Sequence, residues 1–117
     1  MNILVDTSSW IAHLSQPDPK LVTLLQEKRV LTHPVIIGEL ACGSIHKRQV
    51  FLGNLKILPR AKSASFEEAL ELLETRRLYG KGLGFADILI LASALLSKAG
   101  ILTRDRALQA AARSLGM

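Results

Sequence analysis

Residues 3–11, Ile-Leu-Val-Asp-Thr-Ser-Ser-Trp-Ile, decide the fold. Their first three side chains form a short, β-branched apolar run, which is typical of a buried strand. The polar cluster that begins at Asp6 ends this strand and opens a helix, on which Trp10, Ile11 and Leu14 recur at helical spacing. A buried strand that leads directly into an amphipathic helix is typical of a β-α-β unit, so this stretch predicts an α/β fold.

The rest of the chain continues the alternation of short strands and amphipathic helices. Further strands are predicted at residues 30–32, 57–59 and 101–103, and helices at about 21–29, 35–43, 44–53, 65–80, 85–99 and 107–115. Gly100 is expected to stop the helix before the last strand. Because strands and helices alternate with short polar joints, we expect a three-layer α/β/α sandwich around a central, mostly parallel sheet of four or five strands. We expect residues 1–117 to form one domain.

The composition narrows the class of protein. Of the 117 residues, 49% are hydrophobic and 21% are charged, which fits a folded domain better than a disordered chain. The net charge of +5 favours polyanionic partners, with nucleic acid first. A single cysteine excludes an internal disulfide, and no apolar run is long enough to span a bilayer. No secretory signal precedes the first strand, so we expect a cytoplasmic protein without a membrane partner.

Two acids are predicted to follow strands at one edge of the sheet. Asp6 ends the first strand, and Asp105 lies just past the last strand. Ligand sites in parallel sheets form at the carboxyl ends of the strands, so we expect these two carboxylates on the same side. Each acid also has a structural interpretation as a helix N-cap, which the sequence leaves open.

Two further acids lie within predicted helices. Asp87 begins a helix that is apolar on all sides, and a carboxylate there is costly unless a helix N-terminus, a basic partner or a metal ion compensates its charge. Glu39 lies among Ile36, Ile37 and Leu40, and it is either a surface residue or a fourth member of the site.

Four converging carboxylates would repel one another unless a hard cation such as Mg²⁺ or Mn²⁺ binds their oxygens. The three histidines are not spaced as a zinc site, and no G-x-S-x-G motif surrounds Ser8. Arg104 and Arg106 flank Asp105, so they are candidates for holding a phosphate near the acids.

Four segments taken together resemble PIN-domain ribonucleases, and among these the VapC toxins of bacterial toxin–antitoxin pairs. The resemblance is carried, in chain order, by Val5-Asp6-Thr7-Ser8-Ser9-Trp10-Ile11, by Gly38-Glu39-Leu40-Ala41-Cys42-Gly43, by Gly82-Leu83-Gly84-Phe85-Ala86-Asp87 with Ala92-Ser93-Ala94, and by Leu102-Thr103-Arg104-Asp105. Each motif alone is weak, whereas the ordered set of four covers nearly the whole chain.

The resemblance implies a site, an activity and partners. It matches Asp6, Glu39, Asp87 and Asp105 to the four acids of the family, of which the three aspartates are expected to hold the metal. It matches Thr7 or Ser8, and Thr103, to hydroxyl residues that border the site and are expected, with Arg104 and Arg106, to contact substrate. It implies a Mg²⁺- or Mn²⁺-dependent endoribonuclease toxin that cleaves structured RNA (tRNA or rRNA), forms a homodimer and is blocked by a cognate antitoxin. Many relatives end in a further strand, for which residues 113–117 leave little room.

Two other classes compete with this interpretation. One is another metal-dependent phosphohydrolase, although the haloacid-dehalogenase type needs an aspartate where this chain has Ser8. A phosphorelay receiver fails because the predicted third strand ends in Leu58-Pro59-Arg60 and lacks the phosphoacceptor aspartate. The other class is a non-enzymatic module that binds nucleic acid or protein and whose carboxylates are structural.

Overall fold

A three-stranded parallel sheet forms the centre of the protein in a computed structural model that describes residues 1–117. The strands are β1 (Ile3–Val5), β2 (Val30–Leu31) and β3 (Gly100–Leu102), in the spatial order β2-β1-β3. β1 pairs in parallel with both neighbours, with Leu4 opposite Leu31 on one side and Ile101 on the other. The predicted α/β fold with a parallel sheet is confirmed, but the strand count is lower than the four or five expected.

The missing strand is the one expected at residues 57–59. Helix α4 (Arg48–Lys56) runs up to this segment, and the side chain of Ile57 is 81% exposed instead of lying in a sheet. Only an isolated parallel bridge remains, in which the amide of Thr32 donates to the carbonyl of Pro59 and the amide of Ala61 donates to the carbonyl of Thr32. Because Pro59 has no N–H to donate, pairing extends no further. The C-terminal residues form no strand.

Seven helices surround the sheet, and most end earlier than the sequence predicts. The other six are α1 (Thr7–Ser15), α2 (Pro19–Gln26), α3 (Pro34–Ala41), α5 (Phe66–Thr75), α6 (Phe85–Leu96) and α7 (Arg106–Ser114). Helices α2, α5 and α6 are each followed, two residues on, by a basic residue with a positive φ: 56° at Lys28, 53° at Arg77 and 51° at Lys98. This left-handed residue ends a helix where glycine would usually do so.

Gly100 is therefore the first residue of β3 and not the stop of α6. A Cβ atom at this position would lie 3.0 Å from Cδ1 of Ile3 and 3.2 Å from Cε of Met1. Because Gly100 has no side chain, the start of β3 lies close to the side chains of Met1 and Ile3.

The order of the strands predicts where a ligand would bind at the carboxyl end of the sheet. The chain passes from β1 to β2 on one side and then returns past β1 to reach β3 on the other side. Since such crossovers are right-handed, the two connections run over opposite faces. The segments that follow β1 and β3 therefore flank the point where the strand order reverses, which is where α/β proteins bind ligands.

Two hydrophobic clusters hold the helices in place. The larger cluster contains 16 buried residues, drawn chiefly from the sheet and from α1 to α4. The smaller contains eight, drawn mainly from α5, α6 and α7. Helix α6 contributes to both, with Ile90 and Ala94 in the first and Ile88 and Leu91 in the second. None of the helices is both long enough and apolar enough to cross a bilayer.

Candidate active site

Asp6 is a buried carboxylate at the end of the central strand. Its residue is only 6% exposed, and its amide continues the ladder by donating to the carbonyl of Leu102 at 2.9 Å. Asp6 occupies the N-cap position of α1, but its side chain makes no capping bond, so capping does not account for this carboxylate. Its Oδ2 accepts hydrogen bonds from Ser8 Oγ at 2.9 Å and from Thr103 Oγ1 at 2.8 Å. Hydroxyl donors to the charged form compensate the burial of this carboxylate.

Asp105 follows β3 and is held by the same loop. Its amide donates to Thr103 Oγ1 at 3.1 Å, and its Oδ1 accepts from the amide of Leu108 at 3.0 Å. The second bond makes Asp105 the N-cap of α7, so here the structural interpretation does apply. Oδ2 of Asp105 receives no hydrogen bond from the protein, and the residue is exposed. Oδ1 of Asp105 therefore caps α7, and Oδ2 is available to bind a ligand.

Asp87 lies in the first turn of α6, close to the other two aspartates. Its Oδ2 accepts from the amide of Gly84 at 2.9 Å. Burial raises the pKa of the Asp87 carboxyl, the Gly84 amide lowers it, and the negative charges of Asp6 and Asp105 raise it further, so that it lies above its usual value. The Asp87 carboxyl on α6 is thus acted on by two other carboxylates, one directly after β1 and one in the β3–α7 loop.

Glu39 is connected to this cluster through Thr7, the residue after Asp6. It lies on α3 and is exposed, and its Oε1 accepts from Thr7 Oγ1 at 2.7 Å. Thr7 is the residue after Asp6, so the contact joins Glu39 to the start of α1. Glu39 also lines a cavity of about 470 Å³ with Ile11 and Leu14 of α1 and Ile45 of the next turn.

The four acids share one pattern of hydrogen bonding. In each, one carboxylate oxygen accepts from the protein and the other is left without a protein donor. None of the four forms an ion pair, since the only salt bridges are Arg29–Glu27 and Arg104–Asp18. The negative charge of the cluster is therefore not neutralised by any basic side chain.

This donor set fits a hard divalent cation by its chemistry. Carboxylate oxygens are the ligands that Mg²⁺ and Mn²⁺ prefer, and a cation would relieve the repulsion that raises the pKa of Asp87. The side chains are not yet gathered around one point, because no three His, Cys, Asp or Glu groups are spaced to hold an ion together. Closing a coordination sphere requires side-chain rotation, for which the exposed Asp105 and Glu39 have room.

The basic residues expected to hold phosphate are less closely placed. The guanidinium of Arg104 lies 3.7 Å from Asp18 Oδ2, at the start of α2, and its side chain is 59% exposed. Arg106 is exposed at the start of α7, and its side chain forms neither a hydrogen bond nor an ion pair. The sequence interpretation did not single out Asp18 as a partner of Arg104, since the two residues are far apart in the chain.

Comparison with known proteins identifies the family. The family model of the PIN domain matches residues 3–114. Ribonuclease VapC32 of Mycobacterium tuberculosis, found in two strains, is 45% identical over 116 residues, which is 98% of this chain and 94% of the relative.

Two solved structures share the fold. The crystal structure of VapC20 of Mycobacterium tuberculosis, a toxin that cleaves the sarcin–ricin loop, has a TM-score of 0.66 at 21% identity and covers 94% of this chain and 95% of its own. PAE2754 of Pyrobaculum aerophilum has a TM-score of 0.63 at 19% identity, covering 94% of this chain and 78% of its own. The resemblance to VapC-type PIN proteins inferred from the sequence is confirmed, and the chain belongs to the PIN-domain family.

Proposed function

We propose that this protein is a Mg²⁺- or Mn²⁺-dependent endoribonuclease that acts as the toxin of a toxin–antitoxin pair. The observation that carries the proposal is the cluster of Asp6, Asp87 and Asp105, in which no carboxylate has a basic partner. Burial, and in addition the negative charges of Asp6 and Asp105, raise the pKa of Asp87. The similarity to a curated ribonuclease over 98% of the chain supports the same activity.

In this proposal the free oxygens of the three aspartates hold the cation, and Glu39 completes the site or orients a water. The chemistry supplied by a divalent cation held there would be a lower pKa for the attacking water and neutralisation of the charge that develops on the phosphate. The chain's own part is to engage one oxygen of each carboxylate in a hydrogen bond, which leaves the other oxygen available to the cation. Attack of a water oxygen on phosphorus would form one P–O bond and break the bond to the 3′ oxygen. The water gives up a proton and the 3′ oxygen takes one up, so the products carry a 5′-phosphate and a 3′-hydroxyl.

A polymeric substrate suits the shape of this edge of the sheet. Sites for small molecules are usually enclosed pockets, whereas five cavities of about 240 to 470 Å³ on this protein are lined by none of Asp6, Asp87 and Asp105. An open site admits the backbone of a folded RNA, and the net charge of +5 favours its approach. We propose structured RNA, either tRNA or rRNA, as the substrate class. The sarcin–ricin loop cleaved by VapC20 is an rRNA element of this kind.

The partners follow from the same proposal. A cognate antitoxin seated in the cavity between Ile11, Leu14 and Ile45 would cover Glu39. For the homodimer, an exposed aromatic pair is a candidate contact: the rings of Phe66 and Phe85 lie 5.4 Å apart and the residues are 58% and 38% exposed. Multi-angle light scattering of the isolated chain tests the dimer, and copurification with an upstream reading-frame product tests the antitoxin.

The decisive experiment is RNA cleavage with defined metal. The purified protein is incubated with total tRNA and with rRNA in EDTA, Mg²⁺ or Mn²⁺, and the cleaved ends are sequenced. We expect cleavage only with a divalent cation, and its loss in Asp6→Asn and in Asp87→Asn. Either variant cutting RNA at the wild-type rate would refute the site assignment.

A non-enzymatic module that binds nucleic acid or protein is the competing function. It is favoured by the capping bond of Asp105 and by the lack of a preformed three-ligand cluster. A metal titration separates the two functions, because a carboxylate cage gains thermal stability on binding Mn²⁺ whereas a module with structural carboxylates does not.

A further inference from the structure

Two hydroxyl groups connect Asp6 to the backbone of the loop that carries Asp105. Ser8 Oγ accepts from the amide of Arg104 at 3.0 Å, and Thr103 Oγ1 accepts from the amide of Asp105 at 3.1 Å. Both hydroxyls also contact the same oxygen, Oδ2 of Asp6, at 2.9 and 2.8 Å.

The direction of these bonds follows from counting protons. A backbone amide can only donate, so each hydroxyl must use a lone pair to accept from the loop. Each hydroxyl then has one proton left, and an ionised Asp6 can only accept. Ser8 Oγ and Thr103 Oγ1 also lie 3.1 Å apart, but neither needs to donate to the other while the carboxylate is charged.

The arrangement has two consequences for Asp6. Both donors use Oδ2, so that only Oδ1 is left without a protein partner. The carboxylate can neither rotate nor change its ligating oxygen without breaking two charge-assisted bonds, which are stronger than bonds between neutral groups. The burial of Thr103, which is 5% exposed, protects this network from water.

We propose that Ser8 and Thr103 are positioning residues for the metal ligand Asp6 and are not contacts to the RNA. The proposal rests on the metal site proposed above and adds how it is assembled. The two hydroxyls engage Oδ2 of Asp6, leave Oδ1 available to the cation, and tie Asp6 to the loop that carries Asp105. Partners of this kind around metal ligands typically change metal affinity by 10- to 100-fold when they are removed.

The test measures Mn²⁺ binding to the protein without RNA, by isothermal titration calorimetry. We expect Thr103→Val to weaken Mn²⁺ binding by about tenfold or more, and Ser8→Ala to change it in the same direction. Thr103→Ser, which keeps the hydroxyl, is expected to bind Mn²⁺ as the wild type does. Thr75→Val is the matched control, because its Oγ1 donates only to the carbonyl of Glu71 within α5.

Cleavage kinetics supply the second measurement. At saturating Mn²⁺ the KM for RNA of Thr103→Val is expected to stay within about twofold of the wild type, since no substrate contact is removed. A raised KM with unchanged Mn²⁺ affinity would instead make Thr103 a substrate contact and overturn the inference.

The outcomes separate the inference from the function on which it rests. If the wild type binds Mn²⁺ and both Thr103→Val and Ser8→Ala bind it equally well, only the inference is overturned. If the wild type binds no Mn²⁺, the proposed function fails and the inference fails with it. If Thr103→Val does not fold, Ser8→Ala provides the same test, because Ser8 is only partly buried.

Discussion

Replacing Asp87 by asparagine should reverse the order of stability between wild type and variant when metal is added. Asparagine can still accept from the amide of Gly84, so the local hydrogen bond is retained. The substitution removes a negative charge that burial, Asp6 and Asp105 all disfavour. We therefore expect Asp87→Asn to be more stable than the wild type in EDTA and less stable in saturating Mn²⁺.

The size of the effect without metal follows from the neighbours of Asp87. Each like-charge neighbour at a partly exposed site destabilises by roughly 0.3–0.5 kcal/mol, and relief of desolvation adds to this. The lost attraction between a charge and the N-terminus of α6 opposes the gain by about 0.5 kcal/mol. The net expectation is a gain of up to about 1 kcal/mol, which raises Tm by up to about 4 °C in a chain of this length.

The size of the effect with metal follows from mass action. At a cation concentration 100-fold above Kd, a protein that binds only when folded gains about 2.7 kcal/mol. The wild type should gain this amount, and Asp87→Asn should gain little. The two unfolding curves are thus expected to exchange order between EDTA and Mn²⁺.

The pH dependence of stability also reflects the unfavourable charge of Asp87 in the folded protein. Because the pKa of Asp87 is raised in the folded state, the folded protein binds more protons than the unfolded chain above the ordinary value of 3.8. The stability of the wild type in EDTA is therefore expected to contain a component that falls as pH rises from 3.8 through the folded pKa. This component should be missing in Asp87→Asn.

Urea denaturation, followed by circular dichroism in EDTA and in Mn²⁺, measures both effects. Glu68→Gln is the matched control, because Glu68 holds the same position in the first turn of α5 and accepts from the amide of Ser65. It should show no reversal and the full response to Mn²⁺. A less stable Asp87→Asn in EDTA would refute the account of charge repulsion. Equal Mn²⁺ stabilisation of Asp87→Asn and wild type would refute its role as a ligand.

Four further outcomes are expected. His33→Ala should lower the free energy of unfolding by about 2–4 kcal/mol in urea, because the imidazole caps α3 and its Nε2 lies 3.1 Å from the buried Ser93 hydroxyl. Burial and the charge of Arg60 lower the pKa of His33 in the folded protein. The stability of the wild type should therefore fall as the pH drops below 6.5, the pKa of histidine in the unfolded chain. Urea titrations at several pH values should show that His33→Ala lacks this fall. Leu91→Ala should lose about 2–5 kcal/mol by the same urea assay, since Leu91 is fully buried on the inner side of α6, in the smaller hydrophobic cluster. Glu39→Gln should change the free energy of unfolding by less than about 0.5 kcal/mol. It should nevertheless slow RNA cleavage at limiting Mn²⁺ by about tenfold. An unchanged cleavage rate would show that Glu39 is not part of the site.

Local signals in the sequence predict the elements with strong periodicity or capping. The capping box of Ser65 and Glu68 is present at the start of α5, and the apolar helix that begins at Phe85 is α6. Both depend on residues a few positions apart, which a single sequence displays directly. The segment at 57–59 was wrongly predicted as a strand, because apolar, β-branched residues do not show whether a partner strand is within reach. Pro59 was the available signal against it.

The sequence by itself determined that Asp6 ends a buried strand, because an apolar run followed by a polar cluster has that meaning in any α/β protein. It also indicated that the charge of Asp87 needs compensation, because its helix is apolar on all sides. Only the tertiary structure decided which oxygen of Asp6 is engaged, because its donor Thr103 lies 97 residues away in the chain. The tertiary structure likewise decided that Glu39 accepts a hydrogen bond from Thr7, which is 32 residues away in the chain. Contacts over such separations depend on how the parallel strands align, and the spacing of residues along one chain does not record that alignment.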